Sequence, residues 1–312
     1  MTATSSARVS TRPAGDQAEA RANERDLVVG FSQFVMNHPY RIANVESIKR
    51  AARDAGVRLV VTDAGGSADV ELANIARLIG RGVDAIIVSS LSGAAVYNAY
   101  EAVAAAGVPL IIFASGVPYE ADIPYTCYVA TDDVEIGRRA GEYVVRRMEG
   151  NGRLAILEGI RDSTNNRLRM DGLLPVLGAA SGIVVAGMDS ADWLRRPAQQ
   201  AMSKMLASTW PIDAVLALND EMALGALDAL RGAHRDQDIF VVGLDGQKEA
   251  LQEIRTGGPF VMTIRNEWDG AEALRVAIAA ARGEQVARRI TLDATLIDAH
   301  NVEALFDPSA TC

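Results

Sequence analysis

The feature that most constrains this chain is a unit repeated along it: a short apolar run, one or two polar residues, then a helix-length segment that a glycine closes. The stretch from Val215 to Leu227 shows it most clearly. Its apolar run reads as a buried strand, stops at Asn219-Asp220, and gives way at once to an Ala/Leu-rich helix. Asn or Asp at such a junction can cap the free N–H groups of the first helical turn, and Glu221 suits the positive helix end. The junction also lies outside the carboxyl end of a strand, where open α/β sheets bind ligands. Capping alone accounts for Asn219 or Asp220 taken singly. The recurrence of polar endings on strand after strand is what points to binding.

In chain order, Leu27 to Phe31 reads as a strand, and Pro39 suits the first turn of a helix that Gly56 ends. A strand from Val57 to Thr62 precedes a helix capped by Asp69 and closed by Gly82. Ala85 to Val88 runs into Ser89-Ser90, a helix ends at Gly107, and Leu110 to Phe113 is the next strand. A second set follows. Tyr125 to Ala130 is extended, Asp132-Asp133 opens a helix to Glu149, and Arg153 to Leu157 is a strand. A polar loop from Arg161 leads into a helix around Arg167 to Ala180. Strands at Ile183–Gly187, Phe240–Leu244 and Phe260–Ile264 alternate with helices around Ala198–Ala207, Gln247–Arg255 and Asp269–Arg282. Strand and helix alternating at short intervals indicate parallel sheets covered on both faces. The fold class is therefore α/β, with two similar Rossmann-like lobes, each a parallel sheet with helices on both faces. The crossing near Thr131 is short, as a hinge would be.

Composition narrows the function. A chain of 312 residues suits about two domains. The net charge of −9 argues against a nucleic-acid surface, which needs a basic patch. No apolar run is long enough to span a bilayer. Residues 1–25 have the composition of a disordered tail and lack the apolar centre of a secretory signal. No Gly-x-Gly-x-x-Gly follows the first strand, and neither a phosphate loop nor a Gly-x-Ser-x-Gly elbow occurs. His38, His234 and His300 lack metal-ligand spacing, and Cys127 and Cys312 read as inert thiols. The expectation is a binding protein, not an enzyme, without metal or cofactor.

The strand ends carry the chemistry. They hold Asn37-His38-Pro39-Tyr40-Arg41, Ser89-Ser90, Ala114-Ser115, the segment from Arg161 to Arg169, Asn219-Asp220, Asp245 and Arg265-Asn266. Amides, carboxylates and guanidinium groups donate and accept in fixed directions, as a polyhydroxylated ligand requires, since each hydroxyl does both. Tyr40 and Trp193 offer aromatic faces for the C–H side of a sugar. Tyr40 suits packing on the sheet equally well, whereas Trp193 lies in a polar loop.

From Leu27 to about Asn301 the chain resembles the ribose-type sugar-binding proteins of bacterial ABC importers (periplasmic-binding-protein-like I). The most specific segments are Asn219-Asp220-Glu221-Met222-Ala223-Leu224-Gly225-Ala226-Leu227 and Val241-Val242-Gly243-Leu244-Asp245-Gly246. Asn37-His38-Pro39-Tyr40 stands at an Asn-x-Pro-aromatic turn, and Gly159-Ile160 to Arg167-Leu168-Arg169 at an Arg-bearing loop. The resemblance implies two lobes joined by a three-stranded hinge that close on one sugar, and a monomer serving an ABC permease from the periplasm. The implied division is 26–131 with 267–297 for the N-terminal lobe and 132–266 with 298–306 for the C-terminal lobe. It also implies that Arg167, Asn219, Asp245 and Asn266 hydrogen-bond the ligand, with Trp193 and Tyr40 against its ring. The LacI-type regulators resemble the same core, so an effector-sensing core without its DNA-binding head is the alternative.

The first-lobe half of the site departs from that family. Ala114-Ser115 replaces an Asp-Arg pair, Arg41 replaces an aromatic, His38 an amide, and Ser89 a frequent Asn. Two readings follow. In one, Arg41, with Arg167 and Arg265, faces the carboxylate of a sugar acid. In the other, Arg41 points to solvent and the ligand is a neutral sugar or polyol.

Overall fold

The computed structural model describes residues 26–91, 93–117, 122–208, 211–266 and 270–309. The tail at 1–25, Cys312 and the helix start expected at Asp269 lie outside the described residues. The strands sort into two sheets. In the first, β1 (Val28–Gln33), β2 (Arg58–Asp63), β3 (Ala85–Ser89), β4 (Leu110–Phe113), β5 (Cys127–Thr131) and β11 (Arg289–Leu292) run parallel in the order β11-β5-β4-β3-β1-β2. The second holds β6 (Asn151–Glu158), β7 (Gly182–Ser190), β8 (Ala214–Ala217), β9 (Phe240–Val242), β10 (Phe260–Asn266) and β12 (Ala294–Asp298). Its order is β12-β10-β9-β8-β6-β7, with β12 alone antiparallel.

The helices that matter for the site are α1 (Pro39–Asp54), α2 (Ala68–Gly80), α3 (Tyr97–Ala105), α4 (Asp133–Arg147), α5 (Thr164–Ala179), α6 (Arg195–Leu206), α7 (Asp220–Gly232), α8 (Lys248–Arg255) and α9 (Ala271–Ala281). The first sheet explains its own apolar runs. In β4, Ile111 and Phe113 pack with residues of α1 and α9, while Leu110 and Ile112 pack with residues of α2 and α3. Alternate strand residues face opposite sides, and both sides are covered, so the strand is apolar throughout. The second lobe has one extensive core in which α7 is buried on nearly every side.

Among the described residues the chain passes between the sheets three times: from β5 to α4, between β10 and α9, and from β11 to β12. The last crossing falls at Asp293 and not after 297. Ala294–Asp298 pairs antiparallel with β10, with Leu296 opposite Ile264, so this segment belongs to the second lobe.

Two helix starts also differ from the sequence reading. Ser67, not Asp69, caps α2: its hydroxyl accepts the Val70 N–H at 3.4 Å, and Asp69 falls in the first turn. Ser163 caps α5, which therefore begins at Thr164, ahead of the start near Arg167 that the sequence suggests.

Helices α4 and α5 lie against each other through glycines. A Cβ on Gly137 would stand 1.9 Å from the Arg169 carbonyl oxygen, and one on Gly172 would stand 1.9 Å from that of Val134. The contact is backbone to backbone, and it fixes α5 beside α4 at the edge of the cleft.

Candidate functional site

The cleft between the lobes is lined by His38, Tyr40, Arg41, Ala114, Thr131, Asn165, Arg169, Trp193, Asn219 and Asp245, around an empty volume of about 400 Å³ that includes its open mouth. Three of its members, Ala114 (φ 60°), Trp193 (φ 67°) and Asp245 (φ 123°), hold left-handed backbone conformations without being glycine. Such residues persist where the surrounding structure enforces them, and they cluster at binding sites.

Arg169 is the centre of the second-lobe half. It is buried, and its Nε donates to Asp133 Oδ1 at 2.8 Å. Its Nη1 donates to the Leu218 carbonyl and stands 3.5 Å from Asp245 Oδ1. The guanidinium also lies over the Trp193 ring at 5.6 Å. Burial works against its charge, but Asp133 and Asp245 outweigh burial and hold the guanidinium above its ordinary value. Asp133 in turn accepts from Asn165 Nδ2 at 2.7 Å, and the same amide group donates to the Ala114 carbonyl at 3.0 Å. Thr164 donates to the Gly116 carbonyl at 2.8 Å. The start of α5 thus ties the second lobe to the end of β4 in the first.

Arg167 is not part of this arrangement. It is exposed and lines an outer depression with Arg161, Asp171, Leu174 and Met188. With α5 starting at Thr164, its buried stripe runs through Asn166, Arg169, Met170, Leu173 and Leu177, and Arg167 falls off that face. Arg265 is likewise absent from the cleft lining and donates to the Leu305 carbonyl at 3.0 Å.

Asp132 and Asp133 divide their roles. Asp132 caps α4 by accepting the Glu135 N–H at 3.1 Å, while Asp133 is buried against Arg169. Capping therefore explains only the first of the pair.

Asn219 caps α7, accepting the Met222 N–H at 2.9 Å, and its amide donates to the Trp193 carbonyl at 3.2 Å. It lines the cleft and holds the tryptophan loop in place. Asp220 is buried, accepts the Gln247 N–H at 2.7 Å and the Thr263 hydroxyl at 2.8 Å, and joins β10 to the start of α8. Asn266 is buried behind Asp245 and donates to its Oδ1 at 2.9 Å. Gly159 gives the Trp193 ring its place: a Cβ there would meet Cε2 of the indole at 2.1 Å.

The first-lobe half is built around Arg41. It is 5% exposed, which removes the reading of a solvent-facing side chain. Its Nη1 donates to Ser89 Oγ at 2.6 Å and to Ser115 Oγ at 3.0 Å. The two hydroxyls are 3.3 Å apart, so Ser89 reaches the site through Arg41. His38 and Tyr40 stack with centroids 6.4 Å apart, and Arg41 stands 5.9 Å from the Tyr40 ring. Burial, aided by Arg41, pushes His38 down to about 3, so it is neutral at physiological pH.

Burial pushes the Asp245 carboxyl up to about 7 in spite of Arg169 and Arg41. Between the unfolded value of 3.8 and that value, the folded state keeps a proton that the unfolded chain releases. Asp245 thus favours folding at low pH, and this contribution is lost as pH rises through about 7. His38 has the opposite sign: its contribution is present above 6.5 and lost on acidification. Urea titrations of the parent and Asp245→Asn isolate the first effect. The variant is expected to gain on the parent between about pH 4 and 7, by a few kcal/mol at most. A difference that stays constant across this window would show that Asp245 titrates as an ordinary carboxylate.

Residues 29–285 match the family model of the periplasmic binding protein domain. The ribose import binding protein of Salmonella typhimurium is 30% identical over 84% of this chain and 87% of its own length. The xylitol-binding protein of Mycolicibacterium smegmatis is 30% identical over 88% of this chain and 76% of its own. Among solved structures, an ABC transporter solute-binding protein from Bacillus halodurans with bound myo-inositol superposes with a TM-score of 0.85. It is 27% identical and the match covers 90% of this chain and 97% of that one.

Proposed function

We propose, from the premise that this chain belongs to the periplasmic binding protein domain family, that it is a solute receptor. It captures one monosaccharide or polyol between its lobes and delivers it, as a monomer, to an ABC-type permease in the membrane. Family membership implies a periplasmic location. The observation that carries the reading is the convergence of buried donors and acceptors from both lobes on one cleft. Arg41 comes from the first lobe; Arg169, Asp245 and Asn219 come from the second, with Asp133 held against Arg169. A polyhydroxylated ligand satisfies such a set because each hydroxyl both donates and accepts. Closure of the lobes about their hinge buries the ligand, a motion common to periplasmic binding proteins.

The relatives support binding without chemistry. Those named above import ribose, bind xylitol or carry myo-inositol, and they are binding proteins and not enzymes. The alternative of a LacI-type regulator core is not favoured by these relatives. In our reading Trp193 and Tyr40 pack on the ligand ring, Arg169 and Asp245 hydrogen-bond its hydroxyls, and Asn266 fixes Asp245.

A thermal-shift panel of pentoses, hexoses, tetritols, pentitols, inositols and aldonates tests the reading. A ligand at about 100 times its dissociation constant adds about 2.7 kcal/mol, a rise of roughly 5 °C in Tm for a chain of this size. One responding class supports the receptor; no response from any member would contradict it.

A further inference from the structure

The two arginines of the cleft are held in opposite ways. Arg169 has its charge met by two carboxylates, Asp133 at 2.8 Å and Asp245 at 3.5 Å. Arg41 is equally buried, yet among the described residues it makes no ion pair. Its partners are the neutral hydroxyls of Ser89 and Ser115. Its Nε is buried and has no hydrogen-bond partner among the described residues. Asp245 and Glu71 act on it only through space, and Glu71 already takes the Ser90 hydroxyl at 2.9 Å. Burial accordingly holds the Arg41 guanidinium below its ordinary value, whereas Arg169 is held above it.

A buried guanidinium without a counter-ion is costly, and it persists where something else supplies the charge. Arg41 shares the cleft with a second donor that has no partner among the described residues, Trp193 Nε1. Among the described residues, the rest of the first-lobe wall offers no negative charge: His38 is neutral, and Ala114-Ser115 supplies one hydroxyl and no carboxylate. The serines fix the fork of Arg41 through one nitrogen, Nη1, and leave its Nε without a partner among the described residues.

We propose that the natural ligand is an anionic polyol, a sugar acid whose carboxylate pairs with Arg41 while its hydroxyls meet Arg169, Asp245 and Asn219. This rests on the receptor reading above and names the ligand class within it. A planar carboxylate matches the guanidinium fork in a two-pronged way that a single hydroxyl cannot. Arg41 is then the specificity-determining residue, positioned by Ser89 and Ser115.

The test is a pair of calorimetric titrations on the full chain with D-ribonate and ribitol, which differ at one end as carboxylate against hydroxymethyl, repeated with D-erythronate and erythritol. The expected result is that the aldonate binds roughly tenfold tighter than its alditol, or more, in one pair. In Arg41→Gln the preference should fall to about threefold or less, with alditol affinity changed much less. Ser115→Ala, which loosens Arg41 without removing its charge, should reduce the preference and keep its direction. If Arg41→Gln does not fold, the parent comparison and Ser115→Ala decide. Neutral polyols or sugars binding as tightly as their acids would overturn the anionic ligand and leave the receptor standing. Absence of binding by any acid or neutral member would overturn both.

Discussion

Arg169→Met is expected to abolish ligand binding at concentrations that saturate the parent. The substitution leaves Asp133 and Asp245 facing each other across the space the guanidinium filled, with both carboxylates buried. Removing one partner of a buried ion pair costs about 3–5 kcal/mol of stability, because the remaining charge is left without compensation. Affinity falls for a separate reason: each charged hydrogen bond lost to a ligand hydroxyl costs about 1.5–3 kcal/mol, so two lost from the fork amount to roughly a hundredfold or more. The same change removes the donor to the Leu218 carbonyl and the cation over the Trp193 ring. Arg169→Lys retains a charge but not the fork, so it should bind more weakly than the parent and better than the methionine variant. Calorimetry on folded protein, checked by circular dichroism, measures both. An Arg169→Met protein within about threefold of the parent would remove Arg169 from the site.

Gly137→Val is expected to destabilise the second lobe by about 3 kcal/mol or more. The reason is distance. Any Cβ at this position meets the Arg169 carbonyl oxygen at 1.9 Å, and backbone cannot swing aside as a side-chain tip can. To relieve the clash, α5 must move away from α4, carrying Thr164, Asn165 and Arg169 with it. Affinity should therefore fall together with stability, although Gly137 itself does not line the cleft. Gly178→Ala is the control: it lies on α5 with nothing within 4 Å of its Cβ, and it should be neutral or stabilising. Urea denaturation with a shared slope compares the three proteins. Equal midpoints for Gly137→Val and the parent would contradict the close helix contact.

The architecture is legible in the sequence because the strands are buried on both faces and the helices are punctuated by glycine. Runs such as Ile111-Ile112-Phe113 have no polar face to confuse with a helix surface, and Gly56, Gly82 and Gly107 take the left-handed conformation past helix ends. The short last strands are not legible. Ala294–Asp298 is only partly buried, and its place depends on pairing with β10, which no local pattern records.

The site is legible where a strand end fixes a side chain. Tyr40, Arg41, His38, Trp193, Asn219 and Asp245 all line one cleft, and Ser89 and Asn266 hold two of them. It is obscured where two arginines lie close together on one helix. Choosing Arg167 over Arg169 follows from carrying the family's arginine over by motif position, where Arg167-Leu168-Arg169 offers two candidates two residues apart. Met170, Leu173 and Leu177 mark a stripe that lies between the two arginines, so the spacing alone does not choose, and the structure buries Arg169 and exposes Arg167. Asp133 is hidden because a capping role fits an Asp-Asp pair, yet one cap uses one carboxylate, which leaves the second for another role. Asn165 carries no separate signal, since its meaning lies in Ala114 and Asp133, both distant in sequence.

Whether this cleft captures a polyhydroxylated solute is decided by isothermal titration calorimetry of the purified chain with the best responder from the thermal panel. One site per chain is expected, with a dissociation constant in the micromolar range or tighter, and the heat should disappear in Arg169→Met. Undiminished binding in that variant, or a stoichiometry other than one, would place the ligand elsewhere and contradict a receptor built on this cleft.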